Sequence, residues 1–140
     1  MVVTDPASPP PWLRGSFHEL GAEECRDLLA LKKIGRVAFW GDEGPTVFPV
    51  NYVADGDGIR FRTSPYARIA QQGSGSQVAF EVDETDDYTE SGWSVLVRGP
   101  VEVVLGHVPG PEPEPWPEGV RSVLVRIRAT SITGRRVLGH

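Results

Sequence analysis

The sequence is poor in the residues that metal and redox sites need, with one cysteine, Cys25, and three histidines, none of them grouped at metal-ligand spacing. A single cysteine excludes an internal disulfide, and we interpret Cys25 as a small apolar residue on a helix face. No apolar run is long enough to cross a bilayer. The segment from Met1 to Pro11 also lacks the basic and apolar parts of a secretion signal, which favours a cytoplasmic protein.

Lysine is scarce as well, with two lysines against twelve arginines. The 14 basic residues are outnumbered by 19 acidic ones, and the net charge is −5. Proteins that bind nucleic acid carry basic patches that neutralise phosphates, so this balance argues against a nucleic-acid partner. The sequence also has no Walker-type loop, no catalytic-triad pattern and no calcium-binding loop.

What the sequence does contain is enough periodic structure for one domain, the number that a length of 140 residues suits. We assign residues 1–16 to a disordered, proline-rich arm and residues 17–140 to a single folded domain. Apolar residues recur at helical spacing from Gly21 to Lys33, which predicts an amphipathic helix. Such a helix would cover one opening or face of a sheet.

From Arg36 onward the pattern alternates at the period of β-strands. Turns rich in glycine and aspartate separate the first three strands, as hairpins require. The pair Gly99–Pro100 within a long strand predicts a bend at a barrel corner. The fold class is therefore mainly β, a six-stranded antiparallel barrel with one or two covering helices. The predicted strands are Arg36–Trp40, Thr46–Val53, Ile59–Thr63, Gln77–Val82, Gly92–Leu105 and Val120–Ala129.

Prolines alternate with other residues from Gly106 to Gly119, between the last two predicted strands. This composition is typical of an extended, semi-stiff linker. A proline-rich ligand for another protein is the alternative. A linker fits better because the segment joins two strands of the same barrel.

The stretch from Ile59 to Arg68 has the features of an anion site. It runs as a strand and then breaks at Ser64, which suits an N-cap, and at Pro65, which suits the first position of a helix that we expect to end near Gln72. Free N–H groups at such a helix start, beside two arginines, favour a bound phosphate. A capped helix with two solvated arginines is the alternative. The side chains of this predicted anion cup are Arg62, Thr63, Ser64 and Arg68.

The preceding strand contains Pro49, which has no N–H and is therefore suited to a sheet edge or bulge. An edge at this position would leave backbone groups free to bond a planar heterocycle. Asn51 and Tyr52 would add polar groups beside it. A plain half-buried hairpin is equally compatible with the periodicity.

Taken in order, these segments resemble the pyridoxamine 5′-phosphate oxidase-like family, the flavin-binding split β-barrels, and in particular its small actinobacterial-type members. The similarity extends from about Leu20 to Val137. The segments that carry it are Glu24-Cys25, Gly35-Arg36-Val37-Ala38, Pro49-Val50-Asn51-Tyr52, Phe61-Arg62-Thr63-Ser64-Pro65 with Arg68, Val78-Ala79-Phe80-Glu81-Val82-Asp83, Gly92-Trp93-Ser94-Val95, Val125-Arg126-Ile127 and Thr133-Gly134-Arg135-Arg136.

The resemblance implies a homodimer of six-stranded split barrels with two flavin sites at the subunit interface. It implies that the FMN phosphate is held by Arg62, Thr63, Ser64 and Arg68. It implies that the isoalloxazine edge is lined by Pro49, Val50, Asn51 and Tyr52. It further implies that a flavin, which can be the partner subunit's, is faced by Trp93 and Ser94.

The implied function is that of an FMN-dependent oxidoreductase, in which flavin N5 exchanges a hydride with a small organic substrate and no side chain need act as an acid or base. The alternatives are a reductase that uses the deazaflavin F420 on the same fold, and a non-catalytic dimer that binds flavin or haem as a sensor or store. The sequence departs from the family pattern at Tyr66, where a small residue is usual, and at Arg68, where lysine is common. The C-terminal arginine segment that binds substrate phosphate in pyridoxamine phosphate oxidases has no clear equivalent.

Overall fold

The computed structural model of the chain describes residues 17–113 and 121–139. The proposed arm at residues 1–16 lies outside these ranges. Residues 114–119 of the proline-rich segment also lie outside them. Eight strands and two helices occur in the described residues. In chain order they are β1 (Phe17–Leu20), α1 (Ala22–Leu31), β2 (Ile34–Gly41), β3 (Gly44–Asp55), β4 (Gly58–Thr63), α2 (Arg68–Gln72), β5 (Gln77–Asp86), β6 (Ser91–Leu105), β7 (Val123–Arg128) and β8 (Ser131–Val137).

The six central strands close into an antiparallel barrel, which confirms the predicted fold class. Strands β2, β3 and β4 are sequential neighbours, β4 pairs with β7, and β5 pairs with both β2 and β6. The pairing of β6 with β7 then completes the ring. Strands β8 and β1 extend the sheet outward from β6.

Strand β6 belongs to two parts of this sheet, and the change occurs at the predicted bend. Its first part, Gly92 to Arg98, pairs with β8, whereas Val101 to Leu105 pairs with β7. Gly99 stands between the two parts, and a Cβ built there would lie 1.8 Å from the carbonyl oxygen of Arg128. Only glycine allows the strands to approach this closely, and this explains the bend.

The core fills the barrel and the space beneath α1. Phe61, Phe80 and Val95 are fully buried inside it, and Leu29 reaches it from the helix. Burying an aliphatic or aromatic side chain of this size contributes about 1.5 to 3 kcal/mol, so these alternating positions dominate the stability of the barrel. No helix of the described residues is long and apolar enough to span a bilayer.

The helix and strand ends differ from the prediction in several places. Helix α1 ends at Leu31, so Lys32 and Lys33 follow the helix and do not form its last turn. The last barrel strand begins at Val123, and the predicted start at Val120 lies outside the described residues. Strands β1 and β8 were not predicted, because their pairing joins the two ends of the described chain and is not visible in local sequence.

Candidate functional site

Strand β3 has a free edge along half of its length. Residues Gly44 to Asn51 pair with β2, but β3 meets β4 only from Tyr52, opposite Phe61, to Asp55. The β4-facing side of Gly44 to Asn51 therefore has no strand partner among residues 17–113 and 121–139. This confirms the expected edge at Pro49, and we call the space between this edge and the end of β4 the cleft.

The far side of this cleft is a turn and not the start of a helix. The Ser64 carbonyl accepts a hydrogen bond from the Ala67 N–H at 3.0 Å, and the Ser64 hydroxyl accepts one from the Tyr66 N–H at 3.1 Å. Helix α2 begins only at Arg68 and has no side-chain cap. The prediction of a helix from Pro65 with Ser64 as its N-cap is wrong, because Pro65 instead occupies a turn that Ser64 closes locally.

The Arg62 side chain lies on the outer side of β4, where it is already engaged. Its guanidinium donates two hydrogen bonds to the Glu112 carboxylate, at 2.8 and 3.0 Å, and others to the Gly106 carbonyl at 3.1 Å. Hydrogen bonding to Arg62 lowers the pKa of Glu112, and the same contact raises the pKa of Arg62. Glu112 thus lies where an anionic ligand of Arg62 would lie.

Arg60 holds the same proline-rich segment. It pairs with Asp55 and donates to the carbonyl oxygens of Val108 at 3.5 Å and Pro109 at 2.8 Å, although its side chain is only 4% exposed. We call residues 106–113 the strap. The strap is thus held across the outer face of β4 by Arg60 and Arg62.

Arg68 points in another direction, towards the turn between β2 and β3. Its guanidinium pairs with Asp42 and with Glu43, the latter at 2.7 Å. A hydrogen bond with Gln72, followed by the charge of Arg68, lowers the pKa of Asp42. The side chains of these pairs are 47 to 64% exposed, so water and salt screen them and they contribute little to stability.

Thr63 and Tyr52 both lie on the buried side of their strands. Thr63 is 9% exposed, opposite Val123 on β7. The Tyr52 ring packs edge-on against Phe80, with ring centroids 4.7 Å apart, and its hydroxyl donates to the Leu29 carbonyl. Burial raises the pKa of Tyr52. Its side chain is therefore a core group, and only its backbone lies at the end of the cleft.

Trp93 and Ser94 lie on β6, which is separated from β3 by β5 and β2 within one chain. The Val101 carbonyl accepts a hydrogen bond from the Gly75 N–H at 2.9 Å, so this end of β6 adjoins the loop after α2. Trp93 stands eight positions earlier on β6, opposite Glu84 of β5. It is 7% exposed and lines a separate groove of about 590 Å³ between the β5–β6 hairpin and Arg136. A second groove, of about 370 Å³, is lined by the β3–β4 turn and β7.

Arg121 is a residue near the cleft that was not predicted as a site residue. The pairing of β4 with β7 ends at Thr63 opposite Val123, and Arg121 lies two residues before Val123. The Gly106 N–H donates to the Ser122 carbonyl at 3.3 Å, and this bond holds the residue after Arg121 beside the end of β6. The Arg121 Nε atom is buried and has no hydrogen-bond partner among the described residues. In the sequence, Arg121 falls on the same alternating face as Val123, Val125 and Ile127, and this position could have indicated it as a site residue.

An apolar surface covers the outside of the β2–β3 hairpin. Cross-strand pairing brings Ala38 beside Val47 and Trp40 beside Pro45. Trp40 is 73% exposed and Val47 65% exposed. We call this surface, which also includes Pro49, the outer apolar face.

Next to the outer apolar face, Arg36 lies 3.3 Å from Glu81 and 3.7 Å from Asp83. Burial, followed by hydrogen bonding to Asp83, raises the pKa of Glu81 to about 7. The Arg36 guanidinium opposes that shift without cancelling it.

A barrel closed through a divided strand, with a cleft between β3 and β4, matches a known class of proteins. The family model described as pyridoxamine 5′-phosphate oxidase matches residues 21–136. The chain belongs to this family.

Three relatives show how widely the similarity extends. An uncharacterised protein of Mycobacterium tuberculosis is 33% identical over 133 residues, which covers 86% of this chain and 85% of that protein. The structure of an FAD-binding protein from Mycobacterium smegmatis is 32% identical with a TM-score of 0.68, and the match covers 86% of this chain and 98% of that one. A Corynebacterium glutamicum protein named for pyridoxamine 5′-phosphate oxidase is 28% identical with a TM-score of 0.74, covering 89% and 96%.

Proposed function

We propose that the protein is a flavin-dependent oxidoreductase that binds FMN in the cleft between β3 and β4 and exchanges a hydride with a small organic substrate. The observation that carries the proposal is the unpaired edge of β3, which faces the turn at Ser64. Backbone N–H and C=O groups must be satisfied, and an isoalloxazine edge offers matching donors and acceptors. The flavin supplies the redox chemistry at N5, while the chain places and desolvates it.

The chain offers two sets of groups to such a cofactor. The backbone of Pro49 to Tyr52 would follow the isoalloxazine edge. The phosphate would lie at the end of β4, within reach of Thr63, Ser64 and Arg68. Arg62 would join them only by exchanging Glu112 for the phosphate, because its guanidinium is otherwise saturated. Flavin binding is supported by the FAD-binding relative, since FAD contains the whole of FMN.

We further propose that two chains associate through the outer apolar face. Contiguous exposed apolar surface of this kind marks interaction sites, and Trp40 is the type of residue that anchors them. The face continues from β3, so a partner bound there would adjoin the cleft. We expect this arrangement to bring Trp93 and Ser94 of one chain towards the flavin of the other.

Absorbance and titration test the flavin proposal directly. The purified protein should show flavin bands, or should quench FMN fluorescence on titration. The double variant Arg62→Ala/Arg68→Ala should weaken FMN binding by a few kcal/mol, since each charge-assisted contact contributes about 1.5 to 3 kcal/mol. Unchanged FMN affinity in this variant would show that neither arginine contacts the phosphate. A deazaflavin or haem spectrum would show that the protein binds that cofactor in place of FMN. Flavin binding without turnover of any electron donor would favour a sensor or store.

A further inference from the structure

Arg121 is the cation near the cleft whose charge is not matched by a nearby carboxylate in the described residues. Arg62 is bound to Glu112, and Arg68 is bound to Asp42 and Glu43. For Arg121, by contrast, no ion pair is formed among residues 17–113 and 121–139, and its buried Nε lacks a hydrogen-bond acceptor. An arginine placed in this way has donors available to an anion.

The position of Arg121 suits the same anion that the end of β4 would bind. It precedes β7, which lies beside β4, and the pairing of these strands ends at Thr63 opposite Val123, next to the turn at Ser64 and Pro65. Val123 shares a face with Thr63 because cross-strand partners point the same way, and the same alternation, extended two residues before β7, predicts Arg121 on that face. This is the inner face, whereas Arg62 lies on the outer face beneath the strap.

We propose that Arg121 binds the phosphate of the flavin from the β7 side, which makes it a phosphate-binding residue that the family resemblance did not supply. This inference rests on the proposed function. A guanidinium presents planar donors that match two phosphate oxygens, and leaving a buried donor unpaired is unfavourable. A bound phosphate would satisfy Nε and would lie between Arg121 and the turn at Ser64. The Arg62–Glu112 pair could then remain intact when the cofactor binds.

Comparison of FMN with riboflavin, which lacks the phosphate, tests this role. Both are titrated by fluorescence quenching against the wild-type chain and against Arg121→Gln and Arg121→Met. We expect either substitution to weaken FMN binding by about tenfold or more and to leave riboflavin binding within about twofold. Arg98→Gln, a substitution of an exposed arginine on β6, is the matched control and should bind FMN like the wild type.

The outcomes separate this inference from the flavin proposal. Equal FMN affinity in Arg121→Gln and wild type, or equal losses for FMN and riboflavin, would overturn it. The same variants are titrated with inorganic pyrophosphate by calorimetry. If wild-type protein binds pyrophosphate through Arg121 but binds no FMN, the flavin proposal fails and the anion site stands. If it binds neither, both fail. Thermal melting of the two variants identifies any loss of folding, and Met retains the length of the arginine stem should Gln fail to fold.

Discussion

Tyr52 is a core residue with a polar end. Its ring packs on Phe80, and its hydroxyl donates to the Leu29 carbonyl near the end of α1. This hydrogen bond ties the helix to β3 directly beside the free edge of that strand. It is therefore a contact through which helix packing positions the cleft.

We predict that Tyr52→Phe lowers the free energy of unfolding by about 1 to 3 kcal/mol, because it leaves the buried Leu29 carbonyl without its donor. Urea denaturation followed by fluorescence measures this change. Tyr88→Phe is the control, since Tyr88 is 96% exposed and its loss of a hydroxyl should have no effect. Equal stability of Tyr52→Phe and wild type would show that water replaces the lost bond.

Glu81 makes the free energy of unfolding depend on pH, and the raised pKa of Glu81 gives the sign of this dependence. Its pKa is raised from the usual 4.5 to about 7, so the folded chain binds a proton that the unfolded chain releases between these values. The stabilisation of the folded state by Glu81 is fully present below about pH 4.5 and is lost as the pH rises through 7. We predict that Glu81→Gln flattens the fall in melting temperature between pH 5 and pH 8. Glu23→Gln, on the exposed side of α1, should keep the wild-type slope.

The sequence drew attention to two arginines around the Ser64–Pro65 break but did not predict their partners. Arg62 and Arg68 were recognised from their spacing about the Ser64–Pro65 break. Their ion pairs were not, because Glu112 is distant in sequence and its position depends on the path of the strap. Asp42 and Glu43 lie in the turn between the first two predicted strands, and only the packing of α2 against that turn reveals their second role.

At the scale of elements, the bend in β6 is the feature that the amino-acid sequence predicted most directly. Glycine followed by proline within an apolar strand has few structural explanations. The start of α2 was missed because Ser-Pro suits both an N-cap and a turn, and the two are distinguished only by where the chain goes next. Strand β8 was missed because a strand with two adjacent arginines acquires its register from β6 and not from its own composition.

We predict that Gly99→Ala destabilises the barrel by about 3 kcal/mol or more, because the added Cβ would clash with the Arg128 carbonyl and the strands would have to separate. Circular dichroism melting measures the loss. Gly21→Ala is the control, since a Cβ at Gly21 meets no atom within 4 Å and its φ of −71° is ordinary. A small effect at Gly99 would mean that β6 relaxes at the corner without breaking its pairing.

At the scale of the whole molecule, the outer apolar face predicts the oligomeric state. Trp40→Glu should convert a dimer into a monomer, because burying the introduced carboxylate without a partner is strongly unfavourable. Light scattering at micromolar concentration measures the mass. Leu31→Glu introduces the same charge at a residue that is 71% exposed at the end of α1, and it should leave the dimer intact. A wild-type chain with the mass of one subunit would contradict the interface.

The pairing of β1 with β8 has a consequence for the order in which the molecule assembles. Strand β1 is the edge of the sheet, and its partner β8 lies at the opposite end of the described chain. Contacts between residues so distant in sequence form slowly, since the intervening chain must be ordered first. Strand β1 should therefore dock last during refolding and detach first during local unfolding. In native-state hydrogen exchange, the amides of Phe17–Leu20 should lose protection before those of the barrel seam between β6 and β7.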